Sequence, residues 1–138
     1  MSALNTLIQY DHSPKILVNG TVNWLNDTLK LALVSNAYTP DTQHTQWADV
    51  SAHLVSTAAT LTNPSIDDNK MTADNLTLAN LTATFRYIVL YAEGAAKGPD
   101  SLQDPLIGMY DLGADIVIES ADYPISFSTN GAIALARD

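Results

Sequence analysis

The sequence predicts an all-β chain, an antiparallel β-sandwich or jelly roll with few or no helices. Three observations lead there. Apolar and polar residues alternate in Thr28–Val34 and again in Thr82–Tyr91, the period of two of an extended strand. Short extended runs are separated by turn residues at the roughly 8–12 residue spacing of sandwiches and barrels. No stretch of ten or more residues carries a capped apolar stripe of helical period, and no internal repeat is present.

The elements follow in order. Residues 1–14 are the least regular: Leu4, Leu7, Ile8 and Tyr10 precede Asp11-His12-Ser13-Pro14 without a clear strand of their own. They are expected to form an amino-terminal arm reaching a neighbouring subunit, ahead of a single β-sandwich domain over 15–138. Ile16–Val18 runs into Asn19-Gly20, whose residues tolerate positive φ, so a hairpin returning through Val22–Leu25 is expected. Leu29, Leu31 and Leu33 share one side of the next strand, and Tyr38-Thr39-Pro40-Asp41 makes a turn, since Pro40 has no amide for a ladder. Thr42–Val50 lacks alternation and reads as a loop or a single helical turn anchored by Trp47. Ala52–Leu61 supplies one or two short edge strands, closed by Asn63-Pro64.

A turn at Asp67-Asp68-Asn69 leads into Leu76-Thr77-Leu78 and then the central strand. There Phe85, Tyr87, Val89 and Tyr91 fall on one face, with Thr84, Arg86, Ile88 and Leu90 on the other, so burial on both sides is expected. Glu93–Asp104 is polar, with two glycines and a proline, and is expected to be a mobile surface loop tolerant of insertion. Pro105–Leu112, Ile116–Ile118, Pro124–Ser128 and Ile133–Leu135 read as separate strands, with Asn130-Gly131 turning the last hairpin.

Composition narrows function. At 138 residues the chain is sized for one domain, and 46% hydrophobic residues suffice for a core. A net charge of −9 opposes binding to phosphate backbones or anionic lipid, so neither nucleic acid nor membrane is an expected partner. The six basic residues are scattered, with no two adjacent. Without cysteine there is no disulfide, thiolate metal site or cysteine nucleophile. The first fifteen residues lack a basic start and a sufficient apolar run, so no signal peptide is predicted and synthesis in a cytoplasm is expected. The Asn-x-Thr triplets at Asn19, Asn26, Asn75 and Asn80 are accordingly read as turn and strand chemistry.

No catalytic, cofactor-binding or metal-binding residue is predicted. His12, His44 and His53 stand 32 and 9 residues apart, unlike the close pairs of zinc sites. Asp11-His12-Ser13 is contiguous, whereas triad members converge from separate elements. Asp67, Asp68 and Asp74, or Asp111 and Asp115, lack the calcium-loop pattern and read as turn aspartates. Gly94 and Gly98 open no helix and form no phosphate loop.

One resemblance runs through most of the chain. Leu31-Ala32-Leu33-Val34 before Tyr38-Thr39-Pro40-Asp41, His44 with Trp47-Ala48-Asp49-Val50, Asp74-Asn75-Leu76-Thr77 and Ala83–Tyr91 recur in order. Pro105-Leu106-Ile107-Gly108, Asp111-Leu112-Gly113, Ile125-Ser126-Phe127 and Gly131-Ala132-Ile133 follow. Together they resemble the small structural proteins of tailed-bacteriophage virions. Where members of that family often carry a Gly-Tyr-Thr-x-Gly-Gly turn, this chain has Ser56-Thr57-Ala58-Ala59. The resemblance implies a non-enzymatic virion component. The favoured form is a capsid decoration or cement protein that binds the major capsid protein and itself as a homotrimer on the capsid surface. A tail, neck or fibre-associated position and a host-surface binding module are the alternatives.

Overall fold

The computed structural model describes residues 7–67, 70–127 and 133–134, and the fold is all-β. A five-stranded antiparallel sheet has the order β1-β7-β6-β2-β3, where β1 is Ile8–Gln9, β2 Thr28–Val34, β3 Ala59–Thr60, β6 Leu76–Glu93 and β7 Leu106–Ile125. A second, three-stranded sheet has the order β4-β5-β8, with β4 Ser65–Asp67, β5 Lys70–Thr72 and β8 Ile133–Ala134. Asp68, residues 1–6 and the Asn130-Gly131 turn lie outside the described residues.

The expected burial of the central strand on both sides holds. Leu29, Leu31 and Leu33 of β2 join Ile88, Leu90 and Ala92 of β6 in one packed cluster, covered by Ile16, Trp24 and Met71. Ala32 and Val34 join Tyr87, Val89 and Tyr91 in a second cluster on the opposite face, covered by Tyr10, Tyr38 and Val50. The sheet is a middle layer, and the excursion from Ser35 to Ala58 wraps one side of it. The three-stranded sheet reaches the other side through Met71, and Trp24 Nε1 donates to the Thr72 carbonyl at 2.9 Å. Burying these side chains supplies the main drive to fold, on the order of 2 kcal/mol for each large one.

Phe85 departs from the sequence expectation. It packs with Ile88 and Leu90, not with Tyr87 and Val89, because the register with β7 breaks between Phe85 and Tyr87. Phe85 pairs with Ile116 but Tyr87 with Asp111, so β7 carries extra residues there, and its Gly113 adopts φ +83. Such an irregularity resets which face each side chain meets. Two further bulges are closed by side chains from the facing strand. Asn80, at φ 52, donates its amide to Asp122 Oδ1 at 3.0 Å, and Ser120, at φ 48, donates its amide to Thr82 Oγ1 at 3.0 Å.

These bulges explain why β7 is one strand of 20 residues where three runs were expected. Residues that break alternation read as strand ends in sequence, yet here they bend a strand that continues.

The expected Ile16–Val18 strand and Asn19-Gly20 hairpin are replaced by a helix, α1, over Ser13–Val18. Pro14 in the first turn presets helical φ, the Ile16 amide donates to the His12 carbonyl at 3.0 Å, and Gly20 at φ +82 ends the helix. Asn19 Oδ1 then takes the Thr21 amide at 2.9 Å and the Thr21 hydroxyl at 2.6 Å. The Asn-Gly pair serves as a helix stop, a use that positive φ permits equally well.

Within the segment expected to be an arm, residues 7–14 lie on this chain's own sheet. Ile8 pairs with Met109 and Gln9 with Gly108, while Leu7 and Tyr10 are buried. The Glu93–Asp104 segment is tied rather than open. Lys97 and Leu102 exchange backbone bonds of 2.8 and 2.9 Å, and the Asp104 side chain accepts the Gly94 amide at 2.7 Å. Lys97 Nζ also lies 3.3 Å from Asp27 Oδ2, and Gly98, at φ +70, packs against Thr21 where a Cβ would collide.

Candidate functional site

The most polar concavity among the described residues sits in the excursion after β2. It is an open cleft of about 650 Å³ lined by Tyr38, Asp41, His44, Asp49 and His53, among others. Its walls form by short-range bonding. The Tyr38 amide donates to the Ser35 carbonyl at 3.2 Å, Asp41 Oδ1 accepts the Gln43 amide at 2.9 Å, and the His44 amide donates to the Asp41 carbonyl at 3.0 Å. This is the aspartate turn expected beside Pro40. Asp49 Oδ2 accepts the Thr45 and Gln46 amides at 3.1 and 3.2 Å, which closes the single turn Trp47–Asp49. Two backbone bonds pin the far end: Ser35 amide to His53 carbonyl at 3.0 Å and Val55 amide to Leu33 carbonyl at 3.0 Å.

Tyr38 is the hub. Its hydroxyl lies 3.1 Å from that of Tyr10 and 2.9 Å from His44 Nδ1. His44 and His53 both set their rings against it, with centroids 5.7 and 5.9 Å away, and Tyr87 meets it edge-on at 5.8 Å. A neutral His44 satisfies the whole chain: Tyr10 donates to Tyr38, and Tyr38 donates to Nδ1. Burial raises the phenol pKa of both Tyr10 and Tyr38 above the usual value. Neither is therefore a nucleophile at neutral pH. The cleft's hydrogen-bonding groups are largely engaged in holding the excursion closed, and the arrangement is that of a scaffold.

Sequence reasoning missed that His44 and His53 share a tyrosine. Their separation of nine residues gave no local motif, and convergence through a packed ring leaves no spacing to read. Among the described residues no group of three or more His, Asp or Glu side chains is arranged to hold a metal ion.

The remaining candidates occupy separate places. His12 Nε2 lies 2.8 Å from the Leu106 carbonyl, and Ser13 Oγ is buried with no hydrogen-bond partner, so Asp11-His12-Ser13 makes no nucleophile–base pair. Asp74 accepts from Asn63 Nδ2 at 2.6 Å. Asp111 takes Arg86 Nε at 3.0 Å together with the Gly113 amide, and Asp115 takes Asn36 Nδ2 at 3.0 and 3.1 Å. Hydrogen bonds from Arg86, then from the Gly113 amide, hold the Asp111 carboxyl below the usual carboxylate range.

No family model, curated protein or solved structure matches this chain.

A second concavity, about 410 Å³, is mainly apolar and lies between α1, the Gly20–Trp24 loop and the three-stranded sheet, with Leu17, Val18, Trp24, Ile66 and Met71 on its walls. Val18 and Ile66 are exposed there. No helix of the described residues is long and apolar enough to cross a membrane.

Proposed function

We propose that this chain is a non-enzymatic structural protein of a tailed-bacteriophage virion, a capsid decoration protein that adds onto the assembled shell as an oligomer. One observation carries the reading. The residues of the resemblance in the excursion, Tyr38, Asp41, His44, Trp47 and Asp49, are spent on turns, ring packing and backbone capping. A sequence pattern whose members build a scaffold fits a protein selected for shape and attachment. The net charge of −9 favours a protein partner over nucleic acid. A protein that binds the lattice and not its loose subunits stabilises the shell by mass action.

The test is co-sedimentation of the purified chain with assembled shells lacking it, beside the same shells' unassembled capsid subunits. Saturable binding to shells alone, with a higher shell disruption temperature, is the expected result. Equal binding to free subunits, or none to shells, overturns the decoration role.

A further inference from the structure

The long β6–β7 hairpin carries two open edges. β2 pairs with β6 only from Tyr87 to Glu93, and β1 pairs with β7 only at Gly108 and Met109. Across residues 76–85 and 116–125, among the described residues, the two strands pair only with each other. Each therefore turns one row of backbone amides and carbonyls outward, a ready template for another strand. The inner face of this ribbon is already committed to its own core through Leu81, Phe85 and Ile125.

The two edges differ in charge. Residues 75–85, NLTLANLTATF, include no charged side chain, whereas β7 carries Asp115, Glu119 and Asp122. Pairing β7 with β7 of a second copy sets carboxylates against carboxylates. Pairing β6 with β6 leaves both acidic edges open. Pairing β6 of one copy with β7 of the next uses both rows and puts no acidic strand against another. Hairpins arrayed in the same sense around an axis make that contact antiparallel, like every pairing in the sheet.

We propose that copies of this chain join β6 to β7 in a closed ring, three hairpins forming a six-stranded antiparallel barrel. A head-to-tail contact of this kind either closes or grows into a filament, and closure removes every open edge. The face turned to the axis holds Thr84 and its pair Val117, which is 62% exposed in the single chain and is buried in the ring. This deepens the proposed virion role by giving the oligomer its contact, and its test needs no shell.

The experiment is light scattering of the full chain after size exclusion, beside Val117→Lys and Thr84→Lys, with circular dichroism as the check on folding. The expected result is a mass of three chains falling to one in either folded variant. A monomeric wild-type chain, an open-ended distribution of masses, or a trimer surviving both substitutions overturns the ring. Shell binding measured in parallel separates the two ideas, since a monomer that still saturates shells defeats the ring alone.

Discussion

Trp47 lies flat on Tyr91, ring centroids 4.5 Å apart and planes 10° from parallel. This contact clasps the excursion after β2 to the central strand, and the Trp47 amide adds a 2.9 Å bond to the Asp104 carbonyl. Stacked rings contribute about 1 kcal/mol beyond the area they bury. Trp47 is half-buried, so Trp47→Ala is expected to cost about 2 kcal/mol, less than a fully buried aromatic loses. Trp47→Phe is expected to retain about half of that. Urea unfolding followed by circular dichroism checks both, and equal stability in all three proteins contradicts the clasp.

Gly108 is required by Leu7. A Cβ at Gly108 would stand 2.6 Å from Leu7 Cγ and 2.9 Å from the Ile8 carbonyl oxygen, closer than real contacts allow. Gly108→Ala is expected to push β1 off β7 and cost roughly 1–3 kcal/mol, as overpacking does. Leu7→Ala in the same chain relieves the side-chain part of the clash, so the double variant is expected to lose less than the sum of the single changes. Additive losses in a double-mutant cycle contradict this packing.

Two buried tyrosines predict opposite outcomes. Tyr110 is 1% exposed and its hydroxyl has no hydrogen-bond partner, so Tyr110→Phe is expected to be neutral or to stabilise by about 1 kcal/mol. Tyr10 is 2% exposed and its hydroxyl meets Tyr38, so Tyr10→Phe is expected to destabilise by about 1 kcal/mol. Thermal melts of the two variants check the contrast, and the same sign for both defeats it.

Asp111 gives a pH dependence with a defined sign. Its carboxyl is held below its unfolded value by Arg86 and the Gly113 amide. The stabilisation is therefore complete above the ordinary carboxylate pKa, near 4, and fades as pH falls through the lower folded value. Asp111→Asn is expected to be less stable than wild type at neutral pH, with the gap closing in acid. The pair is partly exposed, so the gap is small. A gap that widens below pH 4 contradicts the assignment.

What could be read in the sequence was local. The β2 alternation and the two-sided burial of Tyr87–Tyr91 follow from period two alone, and both are present. Asn19-Gly20 misled because positive φ serves a helix stop as well as a hairpin, and Pro14 two turns of sequence earlier decided between them. Gly113 and Ser120 misled because a bulge and a strand end look alike until the partner strand is known. The meeting of His44 and His53 at Tyr38 depends on the path of a loop across a sheet, which no spacing records.

The most direct test of the virion role is cryo-electron microscopy of the purified phage particle with this chain traced in the density. The account predicts copies repeated over the capsid surface at local three-fold positions. Density confined to the tail or neck, or none in the particle, contradicts it.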